Sequence, residues 1–249
     1  MRKRLFFATV LMALWLISTT LSEANQKRRY FPNQIENNKF GSNILLEGSP
    51  QQIARFENLL DRISEVPKGY ETIRTISDSG HELTIRHAKY VVLSAGRTLA
   101  PMSRKLINGK GDDVTILFSA HIPDSGSHMV YNAQNKLIEF TAIQNLFHEL
   151  AHAMHMMKGS WRYFASEKQA IEEENVFRRD LAMIRHTPIT ERYKKTGVLI
   201  NNTDDIFVIS EWFGPSIIKK PEPGEYAEDG QQTTSGTGIK TSLGIQRRK

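Results

Sequence analysis

The stretch from Thr141 to Gly159 constrains this chain more than any other, because it sets His148-Glu149-Leu150-Ala151-His152 inside an apolar run. Ile143, Leu146, Phe147, Leu150, Ala151, Met154 and Met157 recur at three- and four-residue steps, which gives a helix one face to bury. Thr141 and Gln144 have capping-box spacing, and Gly159 stands where a left-handed C-terminal cap belongs. On that helix His148 and His152 are i and i+4, so both imidazoles project from one face and can ligate a single Zn2+. Glu149 is then the candidate general base for a zinc-bound water. The plainer alternative is an amphipathic helix with two solvated histidines. The apolar flanks weigh against it, since a solvated face would be charged.

A catalytic zinc needs a third protein ligand and one open position. The chain has no cysteine, so the ligand is a histidine or a carboxylate. Ser166 to Ile184 reads as a second helix, with capping-box spacing between Ser166 and Gln169 and an apolar stripe through Ala170, Ile171, Phe177 and Leu181. At about 100° per residue, Glu167 and Glu174 both fall within that stripe, whereas Glu172 and Glu173 fall at its margin or outside. A carboxylate on a buried stripe is costly unless paired or metal-bound, so Glu167 and Glu174 are the candidate third ligands. Glu167 is preferred, because Ala170 beside it lets the two helices approach closely. The other glutamate is expected to hydrogen-bond a ligating histidine or to pair with Arg178. His155 is expected at the rim, in contact with substrate. Tyr193 is the candidate donor to the tetrahedral oxyanion.

The remaining chain frames this site. Residues 1–24 combine a basic start, Arg2-Lys3-Arg4, an apolar run from Leu5 to Ile17 and small residues at Ser22 and Ala24, the pattern of a secretory signal peptide too short for a confident membrane span. Residues 25–43 are polar and read as a flexible lead-in, 44–214 as the folded domain, and 215–249 as a disordered tail rich in Pro, Gly, Thr and Ser. Ser49-Pro50 should start a core helix carrying Ile53, Phe56, Leu59, Leu60 and Ile63, with Pro67 and Gly69 ending it. Strands are expected at Glu71–Ile76 and Glu82–Ile85 around an Asp78-Ser79-Gly80 hairpin turn, at Tyr90–Leu93 and at Val114–Phe118. Val114–Phe118 is either an edge strand that holds an extended substrate or a plain core strand. His81 and His87 read as solvated, His121 to Asn135 as a loop bordering a cleft, and Val198–Ile200 and Asp205–Phe213 as runs that close the fold.

At 249 residues, 39% hydrophobic and 24% charged, the chain can bury one real core, and the mixed pattern predicts an α+β fold. Of the net charge of +6, +2 falls in residues 1–24 and +2 in the tail from Lys219, which leaves +2 for residues 25–218 and no basic stripe. A nucleic-acid partner is therefore not expected.

Taken together, Phe56 to Ile63, the turn at Gly109 and Gly111, Leu146 to Ala153 continuing to Lys158-Gly159, the Glu167-to-Ala170 step, and Glu174-Asn175 with Arg178 resemble the NleD-like effector metallopeptidases, relatives of metallopeptidase domains in Rhs-type toxins. The resemblance runs over about residues 45 to 195. It implies a zincin-like α+β fold, with His148 and His152 as zinc ligands, Glu149 as base, and Glu167 or Glu174 as third ligand. The expected protein is an exported, monomeric zinc endopeptidase, secreted, periplasmic or delivered into a target cell, where it acts on proteins. It would make no stable membrane association once the signal peptide is removed. A zinc amidase of cell-wall peptides and a non-catalytic exported binding module are the alternatives.

Overall fold

The computed structural model describes residues 25–30, 41–88, 96–194, 197–200, 205–210 and 214–219. The expected signal peptide, the strand at Tyr90–Leu93 and the tail beyond residue 219 lie outside these. The architecture is α+β. One sheet has the order β1 (Gln26–Arg29), β2 (Ile44–Gly48), β3 (Leu83–His87), β5 (Val114–Phe118), β4 (Gly96–Leu99). Its three inner strands are parallel and its two edges antiparallel. A second, antiparallel sheet runs β10 (Gly214–Lys219), β9 (Asp205–Ser210), β8 (Gly197–Ile200), β6 (His128–Tyr131), β7 (Leu137–Glu139).

Helices α1 (Pro50–Ser64), α2 (Pro67–Ser77), α3 (Ala142–Met157) and α4 (Ser166–Arg185) complete the domain. The inner strands alternate as half-covered strands do: Leu83 and Ile85, with Val114, Ile116 and Phe118, are buried, and Thr84 and Arg86 turn away. Phe56, Leu59, Leu60 and Ile63 of α1 and Ile73 and Ile76 of α2 join the same core as Leu146, Phe147 and Leu150 of α3. Each such side chain contributes about 1.5–3 kcal/mol through its burial. Among the described residues no helix is long and apolar enough to cross a membrane.

Several expectations change here. Glu71–Ile76 is not a strand, and there is no hairpin at Asp78-Ser79-Gly80. Pro67 does not end α1; it opens α2 as its first-turn proline, and Gly69, Thr72, Ile73 and Ile76 recur at helical steps on the buried face. Gly69 lies so close to α1 that an added Cβ would meet the Ile63 carbonyl oxygen at 1.9 Å. The β-branched residues that suggested a strand are overruled by this packing. Within the expected lead-in, Gln26–Arg29 form an edge strand, held by ion pairs from Lys27 to Glu47, Arg28 to Glu57 and Arg29 to Glu82. Gly214–Lys219, at the start of the expected tail, pairs with β9. His121–Asn135 is only partly loop, because β6 and β7 form a hairpin whose turn is closed by Asn132 Oδ1 accepting from the backbone of Gln134 and Lys136. Val114–Phe118 is an inner strand, and the edge beside α3 is β4.

Candidate metal centre

The anticipated capping box of α3 is present: Thr141 Oγ1 accepts from Gln144 N, and Gln144 Oε1 accepts from Thr141 N. At the other end Gly159 takes φ +66, and a Cβ there would meet Lys105 O and Lys110 N at 2.6 Å, so only glycine fits. Helix α4 starts differently from expectation. Ser166 is its first residue rather than its cap; Gln169 instead accepts from Arg162 N and donates to Ser160 O, tying the α3–α4 connection to the helix. Phe147 and Phe177 stack at 4.2 Å between centroids, 12° from parallel, and fix the two helices face to face.

This packing brings His148, His152 and Glu167 together, with one donor atom from each lying within 4.8 Å of the others. Glu167 Oε2 is 3.3 Å from His148 Nε2, and Oε1 is 3.1 Å from His152 Nε2. Glu174, fully buried, sits behind them, and its Oε2 is 3.0 Å from His148 Nδ1. An ionised carboxylate only accepts, so Nδ1 carries a proton toward Glu174 and Nε2 one toward Glu167; loss of the Nε2 proton would free that lone pair for the space shared with Glu167 and His152. Arg178 Nε donates to Glu174 Oε1 at 2.6 Å and Arg192 Nη1 to Oε2 at 3.1 Å. Arg192 Nη1 is also 3.4 Å from His148 Nδ1. Both nitrogens are donors, so it is the shared carboxylate oxygen that holds them together.

The charges follow from this geometry. Burial works against ionised Glu174, but Arg178, Arg192 and His148 outweigh it and hold its carboxyl well below the usual range. Burial likewise opposes ionised Glu167, and His148 and His152 overcome it. For His148 burial disfavours the cation, yet the hydrogen bonds to Glu167 and Glu174 prevail and raise it to about 9.

Glu149 is buried on the side facing β4. Thr98 Oγ1 lies 2.6 Å from its Oε2 and 3.1 Å from its backbone oxygen, and among the described residues Oε1 makes no hydrogen bond. Gly96 makes room for it: a Cβ there would meet Glu149 Cγ at 2.6 Å.

His155 is not a free rim residue. Its Nδ1 accepts from Gln169 and its Nε2 donates to Glu173, which also pairs with Lys68. Tyr193 is 68% exposed and is anchored through its backbone N–H to Tyr131 O. Arg192, which sequence reasoning did not single out, is the downstream residue that reaches His148. Its turn is pinned to α4 by Asn175, which exchanges two hydrogen bonds with the Arg192 backbone.

Two histidines and a carboxylate converge from facing helices, with a further glutamate held by an edge strand, and the first three could hold a metal ion. The family comparison agrees: the Peptidase_M91 model, described as "Effector protein", matches residues 41–195. The chain belongs to this family of effector peptidases. No curated protein matches it. Among solved structures it is similar to the light chain of botulinum neurotoxin serotype HA, at 17% identity, TM-score 0.31, over 43% of this chain and 34% of that one. It is similar also to the type G light chain, at 16% identity, TM-score 0.34, over 54% and 41%. The matched part thus spans less than half of either light chain.

Proposed function

We propose that this chain is a zinc endopeptidase in which His148, His152 and Glu167 hold the ion, Glu174 orients His148, and Glu149 moves the proton. The observation that carries the reading is the donor set itself: two imidazole Nε2 atoms and one carboxylate within a few ångströms, with the far side of His148 occupied by Glu174. Imidazole and carboxylate donors suit zinc, and three of them leave a position open. A zinc ion held there supplies Lewis acidity and brings the pKa of a water to about 7.

The remaining roles belong to side chains. The Thr98 hydroxyl fixes Glu149 Oε2, which leaves Oε1 to take a proton from the attacking water as the C–O bond forms. The same carboxyl then returns the proton to the amide nitrogen as the C–N bond breaks. The edge strand β4 is the candidate support for an extended peptide, one of the two readings the sequence left open for Val114–Phe118. Tyr193 is the candidate donor to the oxyanion. As an effector peptidase, the protein would act on proteins of a target cell, reached by export through residues 1–24.

The test is to measure bound zinc and to profile new protein termini generated in a cell lysate by the wild type and by Glu149→Gln. One zinc per chain is expected in both, with cleavage by the variant reduced by about 10²–10⁴-fold or more. Zinc-loaded wild type that yields no new termini would refute the endopeptidase reading. A variant as fast as wild type would refute the role of Glu149.

A further inference from the structure

The end of the cleft beyond Leu99 carries a surface that the hydrolytic site does not use. After β4 the chain passes through Ala100–Ser103 into a short 3-10 turn, Arg104–Ile107, which is locked onto the α3–α4 connection. Trp161 N donates to Leu106 O and Gly109 N donates to Gly159 O, both at 2.9 Å. These two segments therefore form one continuous surface joining the edge strand to the helix that bears Glu167.

Its exposed side chains are of two kinds. Met102 is 74% and Phe164 97% exposed, and Ile107 and Tyr163 are exposed as well. Tyr163 packs edge-on against both Trp161 and Phe164, so the aromatic group is a preformed ledge. Around it stand Arg104, Lys110, Lys158 and Arg162, all exposed. Among the described residues the first three form no ion pair, and Arg162 approaches only Glu172, at 3.9 Å.

Phe164 is three residues before Glu167, so their Cα atoms are at most about 11 Å apart. A polypeptide with its scissile bond at the metal centre, running along β4 past Leu99, must cross this ledge within about three or four extended residues. Apolar side chains so exposed next to a catalytic centre mark a contact surface, and the surrounding cations set the sign of what they meet.

Resting on the endopeptidase reading, we infer that this surface selects the substrate: it binds a segment with an apolar residue flanked by Asp or Glu, three to four residues to one side of the scissile bond. The apolar residue packs on Phe164 and Tyr163, and the carboxylates meet the flanking cations.

Cleavage-site profiling of a proteome-derived peptide library by the zinc-loaded full chain tests this, alongside capture of the same peptides by Glu149→Gln. Wild type should enrich apolar and acidic residues at those positions. Phe164→Ser should lose the apolar preference and about tenfold in kcat/KM on preferred peptides, with Phe164→Leu retaining most of both. Lys110→Glu/Lys158→Glu/Arg162→Glu should turn the acidic preference basic, in cleavage and in capture, with zinc content unchanged. Profiles and capture indifferent to these variants overturn the inference and leave the endopeptidase reading standing. No cleavage at all by zinc-loaded wild type overturns both. If the charge reversals abolish sedimentation with phosphatidylserine vesicles while the cleavage profile stays the same, the surface is a lipid contact and the inference fails.

Discussion

Replacing Glu174 by Gln separates what this residue does for the fold from what it does for the metal. Its carboxylate is fully buried and takes hydrogen bonds from Arg178, Arg192 and His148 at 2.6, 3.1 and 3.0 Å. An amide is nearly isosteric but neutral, and takes the Glu174 counter-charge away from two guanidinium groups, 2% and 6% exposed as residues. Breaking a buried pair by removing one partner costs about 3–5 kcal/mol. For a domain of this size each kcal/mol moves Tm by about 2–4 °C, so the metal-free variant should melt about 6–20 °C lower. His148 would also exchange its carboxylate acceptor at Nδ1 for at best a neutral amide oxygen shared with the two arginines, and loss of such a partner costs about 10–100-fold in metal affinity. Thermal unfolding with chelator present gives the first quantity, and competition with a chromophoric zinc chelator gives the second. Arg178→Met in the same chain removes one orphaned charge and should restore part of the Tm without restoring the affinity. A metal-free Tm within about 2 °C of wild type would refute the account of Glu174 as counter-ion to the two arginines.

Glu167→Gln should behave in the opposite way, losing zinc occupancy on dialysis against a weak chelator while lowering the metal-free Tm by less than Glu174→Gln does. Gly96→Ala places a methyl 2.6 Å from Glu149 Cγ and 2.9 Å from a Phe118 ring carbon, so it should displace Glu149 and slow peptide hydrolysis by about 10²-fold, with bound zinc unchanged. His128 has its pKa lowered from 6.5 to about 4 by burial, so between those values the unfolded chain binds more protons than the folded one. Stability should therefore fall as pH drops through that window, by about 3 kcal/mol in full. His128→Gln should flatten this part of the acid slope, as read from urea midpoints at pH 7 and pH 4.5.

The helix that carries the candidate site was legible in the sequence because everything that specifies it is local: cap, stripe, motif and terminal glycine lie within Thr141–Gly159. The choice between Glu167 and Glu174 was not, since the two share a face and differ by about 10 Å along the helix axis. Which of them meets His152 depends on how far α4 slides along α3, and that is set by the stacking of Phe147 on Phe177. The α2 segment was misread because Thr72, Ile73, Thr75 and Ile76 favour strands when considered alone. Its burial against α1, with Gly69 at the crossing, decides for helix. The edge strand Gly96–Leu99 is too short to show alternation, and its identity as the edge follows from pairing with Phe118, Leu117, Ile116 and Thr115. Arg192 carried no signal at all: it reaches His148 through a turn whose position depends on Asn175.

The stacked pair Phe147–Phe177 and the Glu174 cluster join the two helices that carry His148, His152 and Glu167 through contacts between protein groups. On the zinc reading these contacts should outlast removal of the ion, unlike in small zinc domains that exist only when loaded. On that reading the polypeptide would be made and moved in an inert state and switched on wherever free zinc is sufficient. A chelator would disarm it reversibly and leave its shape intact.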